Sequence, residues 1–405
     1  MASDTFSLRA IAVPVYGPSF LFGLGEGAIL PVIALSVRQL GGSVALAALI
    51  VTLIGIGSLV TNIPASLITT RYGERWAIVG AAIWAALGVV LCVLVDDIRL
   101  FATGIFMVGM ASSVFGLARQ SYLTEIVPFH LRARAMSTLG GVMRIGLFIG
   151  PFVAAGLIQV MGIGGAYWAG AGAMILAALV AARMADLPPP QPPEPDVDLP
   201  QVRAAPTVRS IGVDHARLFL TLGLGIVLIM AVRSSRQAVI PLWADHIGLD
   251  AAVTSLIYGL AGAIDMLVFY PAGKLMDRKG RGWVAVPSMV IMGTAFLLTP
   301  LTHGAGTLLM VSLLIGFGNG IGSGLIMTLG ADHAPVAGRA HFLGLWRLLA
   351  DIGSTAGPAL LSGFTALLSL AAGIACIGVV GFAAAAALGY WIPRSKARAL
   401  RPGSG

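Results

Sequence analysis

An all-α membrane protein is what the sequence predicts, with twelve transmembrane helices in two pseudo-symmetric six-helix bundles. Three observations carry this. The 405 residues are 58% hydrophobic and only 10% charged, where a soluble domain carries about 25% charged residues. Apolar runs of about 20 residues, each long enough to cross a bilayer, recur along the whole chain. Residues of the first half also reappear in the second at one fixed offset. No polar stretch is long enough for a soluble domain, so most of the surface meets lipid.

The first run, about 11–37, is too long for a signal-peptide core and lacks a clear cleavage site, so it reads as a retained helix. Runs at about 43–68, 76–95, 100–123, 136–160 and 163–184 complete a first half, residues 1–184. Residues 185–216 hold a proline-rich stretch from Leu187 to Pro200. Such a segment favours polyproline geometry and builds no core, so it is read as a linker. Runs at about 217–244, 251–275, 283–302, 306–331, 341–369 and 371–392 make a second half, residues 217–392. Residues 393–405 form a basic tail whose Arg394, Lys396 and Arg398 suit anionic lipid headgroups.

Orientation follows from arginine and lysine placement. With the N-terminus in the cytoplasm, cytoplasmic segments hold 18 of these residues and external loops hold two, Arg38 and Arg99. Both termini and the linker are then cytoplasmic, and the membrane is the cell membrane. This asymmetry accounts for the net charge of +8 without a nucleic-acid partner. Cys92 and Cys376 lie far apart in apolar runs, which argues against a disulfide or a metal site. All six histidines fall in loops or at predicted helix ends.

The repeat is visible residue by residue. Pro64 and Pro271, Pro128 and Pro335, and Gly150-Pro151 and Gly357-Pro358 are each 207 residues apart. Pro31 and Pro241 pair at 210. Duplicated six-helix halves place a binding site between them near the midplane.

Gly273-Lys-Leu-Met-Asp277-Arg278-Lys-Gly280-Arg281 lies between predicted helices eight and nine. Here Gly273 would let helix ends approach, Asp277 would cap the next helix and accept from arginines, and Gly280 would permit a tight turn. The first half carries a worn copy ending in Thr70-Arg71-Tyr-Gly73-Glu-Arg75, with Thr70 replacing the aspartate. Predicted helix five holds Ser137, Gly146, Gly150-Pro151 and Ala154-Ala155, small residues suited to close packing, with a proline suited to a bend.

The loop resembles the signature loop of the major facilitator superfamily, and the helix-five residues are similar to that family's antiporter motif. The resemblance covers essentially the whole chain outside linker and tail. It implies a transporter whose two loops latch the halves on the cytoplasmic side, and the helix-five motif is associated with exporters. The arginine that exporters often carry in helix four is missing, because Ile105 stands in its place.

Eight ionisable residues fall inside predicted helices: Glu26, Arg119, Arg144, Arg233, Arg236, Asp265, Arg347 and Asp351. At roughly 2.5–3.5 kcal/mol each near the bilayer centre, they must face one another or water. The repeat pairs Glu26 with Arg236 and Arg144 with Asp351, opposite charges at equivalent positions. Glu26, Asp265 and Asp351 are therefore candidates to exchange a proton, the alternative being permanent salt bridges that only fix packing. Arg144, Arg233, Arg236, Gln237, Arg347, Ser112 and Asn319 are candidates to line a substrate cavity. Arg347 and Asp351 are spaced for an ion pair within one helix. Five positive against three negative charges point to an anionic or zwitterionic substrate, the alternative being arginines that only neutralise the acids.

No metal cluster, nucleophile motif or Gly-x4-Gly-Lys-Ser/Thr phosphate loop occurs, which argues against an enzyme, a cofactor or an ATP-driven pump. The leading reading is a monomeric, proton-driven exporter of a small organic compound. An importer or a lipid or organic-anion transporter is the alternative, and a non-transporting sensor is the alternative from another class.

Overall fold

The structure, a computed structural model, describes residues 12–186, 207–335 and 338–399. Most of the predicted linker and the last six residues of the predicted tail lie outside the described residues.

Six long helices make the first half: α1 (Gly17–Gln39), α2 (Val44–Tyr72), α3 (Glu74–Leu94), α4 (Ile98–Ile126), α5 (Phe129–Met161) and α6 (Gly164–Ala181). Six make the second: α7 (Leu224–His246), α8 (Ala251–Lys279), α9 (Gly282–Leu298), α10 (Ala305–Ile321), α11 (Arg339–Leu367) and α12 (Leu370–Ala399). Among the described residues, eleven helices are long and apolar enough to cross a membrane. The twelfth long helix, α11, has 29 residues but carries Arg347 and Asp351, which reduce its apolar character.

Packing repeats between the halves. α1 lies along α5 and α6, and α7 lies along α11 and α12. α2 packs on α4 as α8 packs on α10, and α3 on α6 as α9 on α12. The halves meet where α2 lies on α11 and α5 on α8, with α1 touching α7.

Helix contact without a hydrophobic driving force needs small residues, because lipid tails are as apolar as leucine. The helix-five glycines supply that. A Cβ on Gly146 would strike the Phe20 carbonyl of α1, and one on Gly150 would strike the Leu24 carbonyl. Their repeat equivalents, Gly353 and Gly357, sit equally tightly on the Val227 and Ala231 carbonyls of α7. Pro151 stands inside α5 rather than ending it.

Two elements depart from expectation. The predicted span 306–331 is interrupted. α10 stops at Ile321, and a separate helix, Leu325–His333, follows it. Glycines at 318, 320, 322 and 324 weaken the helical backbone here, and Gly324 turns to φ +82°. At the C-terminus, α12 runs through Pro393 to Ala399, so the start of the predicted tail is helical.

Candidate functional site

A cavity of about 290 Å³ lies between the halves. α1 and α5 bring Glu26 and Arg144 to its wall, while α7, α8 and α10 bring Arg233, Arg236, Gln237, Asp265 and Asn319. Seven of the ten sequence-predicted coupling and cavity residues thus converge on one space. Arg233, Arg236 and Gln237 face it together because they are three and four residues apart on one helix.

The two carboxylates are held alike. Ser112 of α4 donates its hydroxyl to Glu26 Oε1. Asn319 of α10, its repeat equivalent, donates Nδ2 to Asp265 Oδ2 at 2.6 Å. Asp265 also faces Arg236, whose Nη2 is 3.5 Å from the same oxygen. Glu26 forms no ion pair among the described residues.

The arginines have different surroundings. Arg236 lies 6.0 Å from the ring of Tyr258. Arg233 donates Nη1 at 2.8 Å to the Gly322 carbonyl, which lies in the break after α10 and also accepts from the Leu325 N–H at 3.3 Å. Arg144 stacks on Phe269 of the opposite half, 4.3 Å from the ring centre. Among the described residues it makes no hydrogen bond or ion pair.

A second, smaller cavity of about 160 Å³ holds Asp351, with Ser112, Ser58 and Ser354 around it. Ile54 and Gln237 line both spaces, so the two adjoin. Asn62 of α2 donates Nδ2 to Asp351 Oδ2 at 3.1 Å, across the boundary between halves. Ser113 holds the Asn62 carbonyl oxygen at 2.6 Å.

Several expectations need correcting. Arg347 is exposed and lines neither cavity. It forms no ion pair with Asp351, whose carboxylate is turned to Asn62 instead. Asp277 does not cap the next helix. α8 continues to Lys279, so Asp277 lies within its last turn and accepts from Arg281 at 3.4 Å. Gly273 is not needed for close approach, because a Cβ there would meet open space. Gly280 is needed, with φ +96° at the end of α8.

The described bonds of the two loops do not cross between the halves; that of the first reaches the start of the linker. Arg281 forks onto Asp332 at 2.8 and 3.2 Å, and this carboxylate raises the guanidinium above its ordinary pKa. In the worn copy, Arg75 holds Asp186 at 2.9 Å and the Ala182 carbonyl at 2.7 Å. Arg71 and Arg278 are exposed, and Gly73 turns with φ +79°. Bonds across the halves occur elsewhere. Arg38 at the end of α1 pairs with Asp245 at the end of α7 at 3.1 Å, and Ser362 donates to the Ala45 carbonyl at 2.7 Å.

Sequence reasoning counted Arg119 among the helix charges but gave it no place in the site. Arg119 of α4 is half-buried, its buried Nε and Nη1 have no hydrogen-bond partner among the described residues, and its charge acts on Glu26. It was legible as a basic residue inside a predicted helix. Its neighbourhood was not, because Glu26 lies on another helix.

Known proteins resemble the chain throughout. The family description "Major Facilitator Superfamily" matches residues 18–358 and, again, 222–405. An uncharacterised MFS-type transporter of Methanocaldococcus jannaschii is 22% identical over 340 residues, 84% of this chain and 87% of its own. Among solved structures, a bacterial homologue of the human lysosomal transporter Spinster, in an inward-facing and unoccupied conformation, superposes with a TM-score of 0.79. It is 13% identical and covers 98% of this chain and 99% of its own. A POT peptide transporter in complex with sulfate gives a TM-score of 0.74 at 14% identity, with 94% of each chain covered. With a family match over more than three quarters of its length and charged side chains gathered between two repeated halves, the chain belongs to the Major Facilitator Superfamily, and it is a multi-pass membrane transporter.

Proposed function

We propose that the protein is a secondary active exporter of a small organic compound, working by alternating access in exchange for protons. It acts as a monomer in the plasma membrane, with both termini and the 185–216 linker in the cytoplasm. Residues 1–184 and 217–392 are the two rocking halves.

The observation that carries this reading is the setting of Glu26. Its described hydrogen-bond partner is a neutral hydroxyl, and that hydroxyl has a second acceptor, the Val108 carbonyl, at 3.0 Å. Ser112 donates to Glu26 when the carboxylate is ionised. When Glu26 is protonated, Ser112 turns its proton to Val108 and accepts from the acid. Both protonation states are thus satisfied in place, as a group that loads and unloads a proton requires. Arg119 supplies the charge that biases the choice. A shift of α4 against α1 changes that bias and drives the proton on or off. The export direction is supported by the helix-five motif, whose Gly146 and Gly150 form the tight seam with α1.

The test is transport in liposomes, with counterflow of candidate substrates and an imposed pH gradient. Glu26→Gln retains counterflow and loses proton-driven flux. Proton-driven flux at the wild-type rate would overturn the assignment.

A second reading, an importer or an organic-anion transporter, is favoured by Arg144, a cavity guanidinium with no described ion pair. Flux of labelled anions in both directions separates the two.

A further inference from the structure

The repeat places Arg144 of α5 and Asp351 of α11 at equivalent positions, 207 residues apart, with opposite charges. The structure shows that each faces its own compartment of one divided space. Arg144 lines the larger cavity, together with Arg233 and Arg236. Asp351 lines the smaller one, whose described walls carry no arginine or lysine. Ile54 and Gln237 form the shared wall.

The other charges of the larger cavity are occupied by protein. Arg236 and Asn319 hold Asp265, Ser112 holds Glu26, and Arg233 holds the Gly322 carbonyl. Arg144 is different: it rests on an aromatic face and feels the charge of Asp265, but neither hydrogen-bonds nor ion-pairs to a described residue. Asp351 is different too. Asn62 occupies Oδ2, and Oδ1 has no described partner. Arg347, one turn away, is exposed and makes no ion pair with it.

The geometry points to a zwitterionic substrate that spans the two compartments, with its anionic group on Arg144 and its ammonium group on Asp351. A guanidinium with free N–H groups is built for a carboxylate or phosphate fork. The Asp351 compartment offers what an ammonium needs, namely one carboxylate oxygen and the Ser58 and Ser354 hydroxyls as acceptors. A purely anionic solute would leave Asp351 with only the Asn62 hydrogen bond and the charge of exposed Arg347, and a purely cationic one would leave Arg144 with only the charge of Asp265, which it shares with Arg236. The two anchors sit on opposite halves, so a bridging zwitterion ties α5 to α11 and favours the closed intermediate. This inference rests on the reading of the chain as a carrier of small organic solutes.

The experiment measures binding to the full-length detergent-purified protein, by calorimetry and by shift of the melting temperature. The probes are glycine, 4-aminobutanoate, 6-aminohexanoate and 8-aminooctanoate, with acetate, butanoate, hexanoate and octanoate and the matching alkylamines as single-charge controls. At least one zwitterion binds about tenfold or more tightly than both of its controls, the loss expected when a buried charge is left unpaired. Asp351→Asn erases the advantage over the carboxylate and spares carboxylate binding, and Arg144→Gln erases the advantage over the amine. A carboxylate that binds as well as its zwitterion, or a series in which no zwitterion binds, overturns the proposal. So does an Asp351→Asn that weakens zwitterion and carboxylate equally. The wild-type comparison decides even if a variant fails to fold. Binding in detergent needs no proton gradient, so the result is independent of the Glu26→Gln flux test.

Discussion

Asn62 Nδ2 donates to Asp351 Oδ2 across 3.1 Å, joining α2 of the first half to α11 of the second. Ser113 fixes the amide by holding its oxygen at 2.6 Å, so the NH₂ end must face the carboxylate. The bond lies beside the smaller cavity, where the halves share a surface. Whatever moves α2 against α11 must break it.

Replacing Asn62 therefore acts on the contact between halves. Asn62→Ala is expected to cost about 1.5–3 kcal/mol of stability, the range for a hydrogen bond to a charged group. Asn62→Asp costs more at neutral pH, because it sets a second carboxylate beside Asp351. Thermal melts of both variants at neutral and acidic pH check this. Acidification recovers part of both losses, and more of the Asn62→Asp loss, because protonation removes the repulsion there and only weakens the hydrogen bond lost in Asn62→Ala.

The seam between α1 and α5 predicts a sharp contrast between two glycines of one helix. A Cβ on Gly150 meets the Leu24 carbonyl, whereas one on Gly156 meets nothing. Gly150→Ala is expected to destabilise by about 1–3 kcal/mol through overpacking. Gly156→Ala is neutral or stabilises by up to about 1 kcal/mol, since alanine loses less backbone freedom. Melting temperatures of the two single variants, prepared in parallel, show whether the contrast holds.

The Arg38–Asp245 pair ties the end of α1 to the end of α7 across the boundary between halves. Its partners are 37% and 35% exposed, so its contribution is small, about 0–1 kcal/mol. The consequence is conformational rather than structural. Arg38→Ala is expected to leave the melting temperature nearly unchanged. It should raise the rate at which a cysteine placed at half-buried Leu40, beside the pair, reacts with a membrane-impermeant thiol reagent, by up to roughly fivefold. The charge-swapped double variant, Arg38→Asp with Asp245→Arg, returns labelling toward the wild-type rate.

In the loop after α8, Arg281 has two carboxylate partners of unequal quality. Asp332 takes two bonds, at 2.8 and 3.2 Å, and Asp277 one at 3.4 Å with most of its side chain exposed. Asp277→Asn is expected to lower stability by less than about 1 kcal/mol, and Asp332→Asn by more. A double-mutant cycle on the two aspartates checks the ranking. A larger effect from Asp277 would show that it has a second partner in another conformation.

Much of the site was legible before the structure. The repeat singled out Ser112 and Asn319 from many polar residues, and each holds a carboxylate. Helical spacing put Arg233, Arg236 and Gln237 on one face, and that face lines the cavity. Other readings failed for a common reason. Spacing within α11 suggested that Asp351 would pair with Arg347, but Asn62 on α2 came closer. The first-half arginine beside Glu26 is Arg119, reached only because α1 and α4 bring it there.

The sequence by itself determined the number, length and polarity of the spans. A bilayer requires each crossing segment to satisfy its own backbone and present apolar side chains, and both properties are written locally. It also determined the duplication, since equivalent residues keep their spacing. Which charges meet was decided by the tertiary structure. Hydrogen bonds join residues on helices far apart in sequence, 54 residues for Asn319–Asp265 and 289 for Asn62–Asp351. Their partners depend on how each helix is rotated about its axis, and close packing at Gly146, Gly150, Gly353 and Gly357 sets that rotation.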